Sequence, residues 1–269
     1  MLPDISLIAT RRDNPLLAAL NAITIIDNAE QRDALLQQLI EAASARVLVV
    51  DFLNQHAANM LARAAQFRAH LLAADMLLRD GVGTQIALRA LGRGGGLNMN
   101  GTDFIPQLLD SFADRFSANK NSALFFFGTR EPWLQLGANK LAARHRGTVV
   151  MCDGFQSEAD YLALVQRYTQ HAKIIVLAMG MPRQEAVAHC LRCADIGPAL
   201  IVCGGAIIDF AAGRVARAPR WMRRIGLEWL FRLGNEPLRL FKRYVIGIPV
   251  FFAAIARMVW LQRRTWPRL

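Results

Sequence analysis

Residues 174–185 read IIVLAMGMPRQE, an apolar run that ends at a glycine and passes into polar residues. A short apolar run of this kind is typical of a strand that is covered on both faces of a parallel sheet. Gly180 marks a turn after Ile174–Ala178, and Pro182 suits the first turn of a helix over Arg183–Cys193. The stretch therefore predicts one strand, one turn and one helix of an α/β fold.

The same strand–turn–helix unit recurs through the second half of the chain. Strands are predicted at Ala123–Phe127, Thr148–Cys152 and Ala199–Cys203, with helices at Trp133–His145 and Ser157–Thr169. This alternation predicts a Rossmann-like parallel sheet with helices on both faces. Ligands of such sheets bind beyond the carboxyl ends of the strands, where the glycine turns lie. Those turns are Gly128, Gly154, Gly180 and Gly204-Gly205.

The first half of the chain shows a weaker version of this pattern. Residues 46–50 (RVLVV) predict a buried strand, and a helix is expected from Asn54 to His70. Arg79–Gly83 and the glycine-rich stretch Gly92–Gly101 predict loops, with a helix opening near Asp103. We expect residues 1–213 to form the α/β catalytic core.

The basic charge is concentrated in the last fifth of the chain. The formal net charge is +11; residues 214–269 carry 13 Lys or Arg and 2 Asp or Glu, whereas residues 1–213 carry 19 of each sign. This asymmetry indicates a polyanionic partner, either nucleic acid or anionic lipid. Tryptophans among the arginines favour lipid over nucleic acid, because indole rings prefer the membrane–water interface. A helix with merely solvated charges is the alternative.

Residues 214–269 are therefore predicted to form a helical, basic appendage that docks on a membrane. Arg217–Arg232 can form an amphipathic helix, and a helix restarts at Glu236-Pro237. Tyr244–Leu261 is apolar but contains a glycine, a proline and an arginine. We expect it to lie in the membrane interface, with one spanning helix as the alternative.

The N-terminus and the cysteines indicate a reducing compartment. Met1–Leu20 has an early aspartate and no continuous apolar core, so no secretory signal is expected. The four cysteines suit buried thiols of an intracellular protein. Cys190 and Cys193 form a C-x-x-C inside a helical pattern without a second ligand pair, which favours core packing over a metal or redox role.

Two glycine turns carry candidate chemistry. Asp80-Gly81-Val82-Gly83 places a carboxylate where backbone N–H groups can approach a ligand, so Asp80 is a candidate general base; an ordinary Asp-Gly turn is the alternative. A dinucleotide fingerprint is disfavoured, because Ile86 stands at the third glycine position. The helix start at Gly180–Glu185 can bind a nucleotide diphosphate, although a plain capped helix has the same spacing.

Five motifs in order resemble one known family. They are Asp80-Gly81-x-Gly83, Asn100-Gly101-Thr102-Asp103, Gly180-Met181-Pro182-Arg183-Gln184-Glu185, Gly204-Gly205-Ala206-x-x-Asp209-Phe210-x-Ala212-Gly213 and Arg217-Ala218-Pro219-x-Trp221 with Gly226-Leu227-Glu228-Trp229 beyond it. Their order and spacing over residues of about 46–245 resemble the WecG/TagA/CpsF glycosyltransferases, family 26, of the glycosyltransferase-E fold type.

The resemblance implies an inverting transfer from a UDP-sugar to a sugar on polyprenyl diphosphate, at the cytoplasmic face of the bacterial inner membrane. It implies no metal, no cofactor and no nucleic acid, and it leaves the oligomeric state open. It assigns Asp80 as the general base, and it places Gln184 near the transferring sugar or diphosphate, with Asn54 in the same pocket. The C-terminal appendage would dock peripherally on anionic lipid and supply arginines that help to close the site.

Other residues are expected to bind substrate because they belong to these motifs or to the glycine turns. They are Gly81, Gly83, Asn98, Gly101, Thr102, Asp103, Gly128, Thr129, Gly180, Met181, Arg183, Glu185 and Asp209. The residues expected to contact the membrane or the acceptor diphosphate are Arg217, Arg220, Trp221, Arg223 and Arg224.

Two departures from the family pattern bear on the donor sugar. Phe52-Leu53-Asn54 stands where members commonly carry Thr-x-Asn, and Asn98 stands where an arginine is often found. The nearest resemblance is to the xanthan-type GumM branch. That branch implies UDP-glucose as donor, glucosyl-diphosphate-undecaprenol as acceptor and a β-1,4 linkage, in exopolysaccharide synthesis. An N-acetylmannosamine or N-acetylmannosaminuronic acid transferase is the alternative within the family. A nucleotide-cofactor oxidoreductase and a non-catalytic membrane adaptor are alternatives from other classes.

Overall fold

A parallel β-sheet forms the centre of the molecule, whose computed structural model describes residues 14–116 and 121–265. The strands are β1 (Ile23–Thr24), β2 (Val47–Leu53), β3 (Met76–Arg79), β4 (Ser122–Gly128), β5 (Thr148–Cys152), β6 (Ala172–Ala178) and β7 (Ala199–Cys203). They lie in the order β1-β3-β2-β7-β6-β4-β5, and all neighbours are parallel. The predicted α/β class with a parallel sheet is confirmed.

Helices follow almost every strand. They are α1 (Pro15–Ala22), α2 (Ala29–Ala42), α3 (Gln55–Leu61), α4 (Ala65–Leu72), α5 (Gly81–Ala90), α6 (Gly101–Arg115), α7 (Trp133–Leu141), α8 (Glu158–Gln166), α9 (Arg183–Cys193), α10 (Ile207–Ala212), α11 (Arg220–Arg224), α12 (Glu228–Asn235), α13 (Pro237–Phe241) and α14 (Gly247–Thr265). A π-helical turn, Lys242–Ile246, joins the last two.

Helices cover both faces of the sheet, which explains why the strands are apolar throughout. Successive side chains of a strand point to opposite faces. Phe126 of β4 accordingly packs in the same layer as Phe104 of α6, whereas Phe125 packs in the layer of Tyr161 of α8 and Leu191 of α9. All these side chains are at most 1% exposed.

Three local expectations were wrong. The helix expected from Asn54 to His70 is two helices, α3 and α4, because a turn after Leu61 lets both Leu61 and Phe67 face the core. Arg79–Gly83 is not a loop throughout, since α5 begins at Gly81 and buries Ala87 and Leu88. The amphipathic helix expected over Arg217–Arg232 is broken into α11 and α12 at Gly226, whose φ of +76° is the left-handed conformation that favours glycine.

The C-terminal helices pack on the body through one face only. Phe251, Ile255 and Met258 of α14 are buried in a cluster that includes Leu53 and Leu61. Hydrogen bonds anchor the start of the helix, with Asn59 Nδ2 donating to the Gly247 carbonyl at 2.7 Å and Gln55 Nε2 to the Arg243 carbonyl at 3.0 Å. Residues 237–262 are long and apolar enough to cross a membrane by length and composition, with a mean hydropathy of 1.9.

Candidate active site

A cavity of about 550 Å³ lies at the carboxyl ends of the central strands, between the sheet and the C-terminal helices. The turns after β2, β3, β6 and β7 form its floor, while α12, α13 and the π-helical turn form its roof. Its lining includes Phe52, Asn54, His56, Asp80, Asn100, Gly101, Thr102, Gly180, Met181, Gln184, Gly205, Asp209, Phe210, Glu228, Arg232, Arg239, Lys242 and Arg243. The cavity therefore lies at the edge of the sheet where the sequence pattern predicts a ligand site.

Asp80 and Asn54 meet at one end of this cavity. Each follows a strand, and because β2 and β3 are adjacent and parallel, their ends lie together. Asn54 Nδ2 donates a hydrogen bond to Asp80 Oδ2 at 3.2 Å. Burial raises the pKa of the Asp80 carboxyl, and this effect outweighs the opposing hydrogen bond from Asn54 and the charges of nearby arginines. A carboxylate with a raised pKa is better matched to proton transfer near neutral pH.

The backbone around Asp80 is fixed by the residue before it. Arg79 is 3% exposed and donates to three carbonyl groups, those of Leu97 at 3.0 Å, Gly81 at 2.9 Å and Gly96 at 3.1 Å. Asn98 Oδ1 accepts a hydrogen bond from the Gly81 N–H at 2.9 Å. The glycine-rich loop and the Asp80 turn are thereby held together as one unit.

Gln184 lies in the opposite wall of the cavity, in the first turn of α9. Its Oε1 accepts from the Gly205 N–H at 3.0 Å, which joins the turns after β6 and β7. Gly180 and Gly205 have φ of +81° and +60°, and a Cβ added to either would have no atom within 4 Å. These two glycines are therefore conformational requirements, and they leave backbone open towards the cavity.

Cationic side chains form the roof of the cavity. Arg232, Arg239, Lys242 and Arg243 all line it. Burial lowers the pKa of Arg243, and burial together with the Arg243 charge lowers the pKa of His56 to about 4, so His56 is neutral at physiological pH. None of these five residues was among the predicted site residues. The helix restart at Glu236-Pro237 is the sequence feature that could have indicated the roof, because the chain turns back over the sheet there.

A second carboxyl group, Glu228, lies in the same cavity and was also missed. Burial raises the pKa of Glu228, and the nearby Asp80 charge acts in the same direction. The arginines Arg217 and Arg223 lower it in part. The cavity therefore combines three carboxyl groups, those of Asp80, Asp209 and Glu228, with a cationic roof.

The predicted acceptor-side arginines surround Asp103. Arg217 forms an ion pair with Asp103 at 2.6 Å, and Arg223 lies 3.7 Å from its other oxygen. Arg220, Arg223 and Arg224 line an adjoining cavity of about 350 Å³ with Asn98 and Asp103. Trp221 is 62% exposed.

An apolar groove of about 370 Å³ opens from the Asp80 end of the site. Its walls share Asn54, Asp80, Arg232 and Arg243 with the main cavity. The remaining walls are largely apolar and include Val82, Gly83, Ile86, Ile225, Leu227, Trp229, Tyr244, Ile248 and Phe252. The charged cavity and the apolar groove thus meet at two carboxyl groups, those of Asp80 and Glu228.

Several predicted binding residues lie away from the cavity lining. Arg183 is exposed and hydrogen-bonds to the Gln156 carbonyl. Gly128 allows close packing, since a Cβ there would lie 2.4 Å from the Ala178 carbonyl oxygen. Thr129 donates to Asp209 Oδ1 at 2.6 Å, so it contacts the cavity wall through Asp209.

Glu185 points away from the cavity into a buried cluster with Asp51 and Cys203. Ligand atoms of these three side chains lie within 4.8 Å of one another, the one metal-like spacing among residues 14–116 and 121–265. Each of the three groups has a hydrogen bond within the protein, and the second oxygen of Glu185, Oε2, is buried without a hydrogen-bond partner. Asp51 Oδ1 accepts from the Phe52 N–H at 2.7 Å, Glu185 Oε1 accepts from Gln184 Nε2 at 2.9 Å, and the thiol hydrogen-bonds to Asp51. We therefore treat the cluster as a hydrogen-bond network.

Comparisons with known proteins agree with this geometry. The chain is 27% identical over 199 residues to the N-acetylglucosaminyldiphosphoundecaprenol N-acetyl-beta-D-mannosaminyltransferase of Bacillus spizizenii, covering 71% of this chain and 72% of that protein. The sequence model of the WecG/TagA/CpsF family of glycosyl transferases matches residues 21–265. Since that match includes the whole sheet and all the cavity walls, the chain belongs to the WecG/TagA/CpsF glycosyltransferase family.

Proposed function

We propose that the protein transfers a hexose from a UDP-sugar to a sugar linked through diphosphate to a polyprenyl lipid, with inversion at the anomeric carbon. The observation that carries this proposal is the position of Asp80 between a cavity roofed by cations and an apolar groove. The cationic cavity suits a nucleotide diphosphate, and the apolar groove suits the lipid end of an acceptor.

Asp80 is the proposed general base. Its carboxylate takes the proton of the acceptor hydroxyl as that oxygen attacks the anomeric carbon from the face opposite the leaving UDP. Asn54 keeps the carboxylate oriented through its 3.2 Å hydrogen bond. The glycosidic bond forms while the bond to the UDP oxygen breaks, so negative charge develops on the diphosphate.

Arg232, Arg239, Lys242 and Arg243 are placed to stabilise that developing charge. Preorganised cations in a partly buried site act more strongly than they would in water. The open backbone at Gly180 and Gly205 and the amide of Gln184 add neutral groups on the opposite wall.

The acceptor lipid is proposed to approach from a membrane surface that the C-terminal helices contact. The outward face of residues 237–250 exposes Leu238 (96%), Phe241 (51%), Ile246 (51%) and Val250 (40%), next to the cationic Lys242. An apolar face bordered by basic residues binds at anionic interfaces. We infer a peripheral protein on the cytoplasmic face of the inner membrane, with α14 lying in the interface, since its inner face already packs on the body.

Two donor sugars are proposed, in order of preference. UDP-glucose, with a glucosyl-diphosphate acceptor and a β-1,4 linkage in exopolysaccharide synthesis, follows from the xanthan-type resemblance. Phe52 supports a donor other than N-acetylmannosamine, because it lines the cavity at the position where many family members carry threonine. The Bacillus spizizenii relative favours an N-acetylmannosamine donor and an N-acetylglucosamine acceptor instead.

Release of UDP tests the function directly. Purified protein is incubated with UDP-glucose or UDP-N-acetylmannosamine, and with glucosyl- or N-acetylglucosaminyl-diphosphate-polyprenol, in all combinations. We expect UDP release only when one donor and one lipid-linked acceptor are both present. Release at the same rate without an acceptor would indicate hydrolysis. No release in any combination, despite UDP binding, would contradict the proposal for these substrates.

A further inference from the structure

A buried polar cluster lies directly behind Gln184, between α9 and β2. Glu185 and Asp51 are each 1% exposed, and Cys203 is 3% exposed. The neighbouring Gln184 is 1% exposed overall and contributes to the cavity lining. Of the two adjacent α9 residues Gln184 and Glu185, only Gln184 therefore lines the cavity, while Glu185 contacts it from the interior of the protein.

Both ends of the Gln184 amide are held by protein partners. Its Oε1 accepts from the Gly205 N–H at 3.0 Å, and its Nε2 donates to Glu185 Oε1 at 2.9 Å. An amide nitrogen has two hydrogens, so one N–H is left for a ligand oxygen in the cavity. Rotation of the amide by a half-turn would set an N–H against the Gly205 N–H and an oxygen against Glu185. The Glu185 oxygen that accepts from Gln184 therefore determines that Gln184 presents an N–H, and not its carbonyl oxygen, to the cavity.

Asp51 and Glu185 cannot both carry a charge at low cost, because they are close, buried and of like sign. Burial, followed by the Glu185 charge, raises the pKa of Asp51 well above its ordinary value. Burial raises the pKa of Glu185 to about 7, and it also raises that of the Cys203 thiol. Burial and mutual repulsion therefore both disfavour the state in which the two carboxyl groups are ionised together.

Other titratable and charged groups approach this pair from one side. His70 of α4 and His189 and Arg192 of α9 line a small cavity that also touches Asp51 and Glu185. The two imidazoles stack with ring centroids 4.4 Å apart, and burial lowers the pKa of His70. Arg192 is turned towards the Ala73 carbonyl and Asp75.

We propose that Glu185 is a positioning residue for sugar transfer, which fixes the Gln184 amide with one N–H available to the donor. This inference rests on the proposed function, because that function gives Gln184 its ligand. It assigns a role to a buried side chain that does not itself line the cavity.

Three variants separate positioning from simple packing. Glu185→Ala removes the acceptor, and we expect kcat to fall on the order of 10-fold to 100-fold with little change in UDP affinity, as for a misplaced group at a reacting centre. Glu185→Gln keeps a carbonyl acceptor, and it should stay within about fivefold of wild type. Asp51→Asn is the control for packing, because asparagine keeps the oxygen that accepts from the Phe52 N–H and leaves the hydrogen bond from Gln184 to Glu185 in place, so this variant should retain activity and fold.

A readout that does not depend on turnover keeps the inference separate from the proposed function. In ¹³C and ¹⁵N spectra, the Glu185 carboxyl should titrate near pH 7, and the Gln184 side-chain amide signals should move with it. Glu185→Gln should abolish that movement. These signals can be followed with UDP bound, even if no donor and acceptor pair supports transfer.

The inference would be overturned by a Glu185 carboxyl that titrates near its ordinary value, about 4.3, together with Gln184 amide signals that ignore it. Wild-type kcat in Glu185→Ala would also overturn it. If Glu185→Ala fails to fold, the comparison of Glu185→Gln and Asp51→Asn still decides, since an equal and severe loss of activity in both folded variants would indicate a packing effect and contradict the positioning role.

Discussion

The side-chain amide of Asn54 bridges the start of a helix and the carboxylate of Asp80. Its Oδ1 accepts from the His56 and Ala57 N–H groups, both at 3.0 Å, and its Nδ2 donates to Asp80 at 3.2 Å. One side chain therefore stabilises α3 and orients the proposed base. The two tasks use different atoms, so they can be separated by mutation.

Asn54→Ser should retain the helix cap and lose the donor to Asp80. Serine caps helices about as well as asparagine, so the unfolding midpoint should stay close to wild type. The hydrogen bond from Asn54 lowers the pKa of Asp80, and its loss should raise that pKa further. Because the base must be ionised, the acid limb of kcat against pH should move to higher pH. Asn54→Ala should in addition lose about 1 kcal/mol of stability. An unmoved acid limb in Asn54→Ser would argue against the orienting role.

Asp80→Asn should reduce transfer to the lipid-linked acceptor by roughly 10²-fold to 10⁴-fold, the usual contribution of a general base. UDP binding, measured by calorimetry, should persist. The matched control is Glu228→Gln, which removes the other carboxyl group that lines both the cavity and the apolar groove and should cost much less. A larger loss of transfer activity in Glu228→Gln than in Asp80→Asn would identify Glu228 as the base.

Arg243→Gln and Arg232→Gln should weaken binding of UDP and of inorganic diphosphate. Hydrogen bonds to charged groups contribute about 1.5–3 kcal/mol, so affinity should fall on the order of 10-fold or more for each variant. Arg144→Gln is the control, because Arg144 is 56% exposed and pairs with the surface residues Asp110 and Asp114. If all three variants bound UDP with equal affinity, these arginines would have no part in diphosphate recognition.

Asp103 should make the packing of the appendage sensitive to acid. Burial opposes its ionisation, but hydrogen bonds from Arg217 and Asn100 outweigh it and hold the pKa of Asp103 below its ordinary value. A depressed pKa contributes stability above the unfolded value, about 3.9, and that contribution is lost as pH falls towards the folded value. The difference in unfolding free energy between wild type and Asp103→Asn should therefore be constant above about pH 5 and shrink below about pH 4. A difference that does not vary with pH would exclude this ion pair as its cause.

Leu238→Ser and Ile246→Ser should each weaken binding to anionic vesicles by about tenfold, because each removes an exposed apolar side chain of the proposed membrane face. Thermal stability should hardly change, since Leu238 is 96% and Ile246 51% exposed. Leu72→Ser is the control, because Leu72 is an apolar side chain that is 38% exposed at the end of α4, outside residues 237–250. Sedimentation with vesicles of phosphatidylglycerol gives the measurement. Equal loss in Leu72→Ser would mean that the effect is not confined to this face.

Strands and helices were predicted well where one physical signal dominates. The bounds of Thr148–Cys152, Ala199–Cys203 and Arg183–Cys193 agree with the structure, because an apolar strand between two helical layers shows no competing pattern. The general position of the site followed from the glycine turns. Asp80, Asn54 and Gln184 were all predicted and all line one cavity.

The cationic roof could not be predicted in the same way. The spacing of apolar residues in Arg217–Arg232 is the same for a continuous helix and for two helices joined at a glycine. The turn at Gly226 is decided by tertiary packing, since a Cβ there would lie 3.1 Å from Val82 on α5. Arg232 and Arg243 face the sheet because the chain turns at Gly226 and again at Pro237. The sequence shows how many cationic residues the segment has, but not which of them line the cavity.

Arg79 has a consequence for the cost of binding. Residues 92–96 include four glycines, and a segment of that composition loses much backbone entropy when it becomes ordered. By donating to three carbonyl groups of the loop and the adjacent turn, Arg79 orders this segment during folding. Asn98 and Asn100, which follow the segment and line the polar cavities, therefore need little further ordering when a ligand binds.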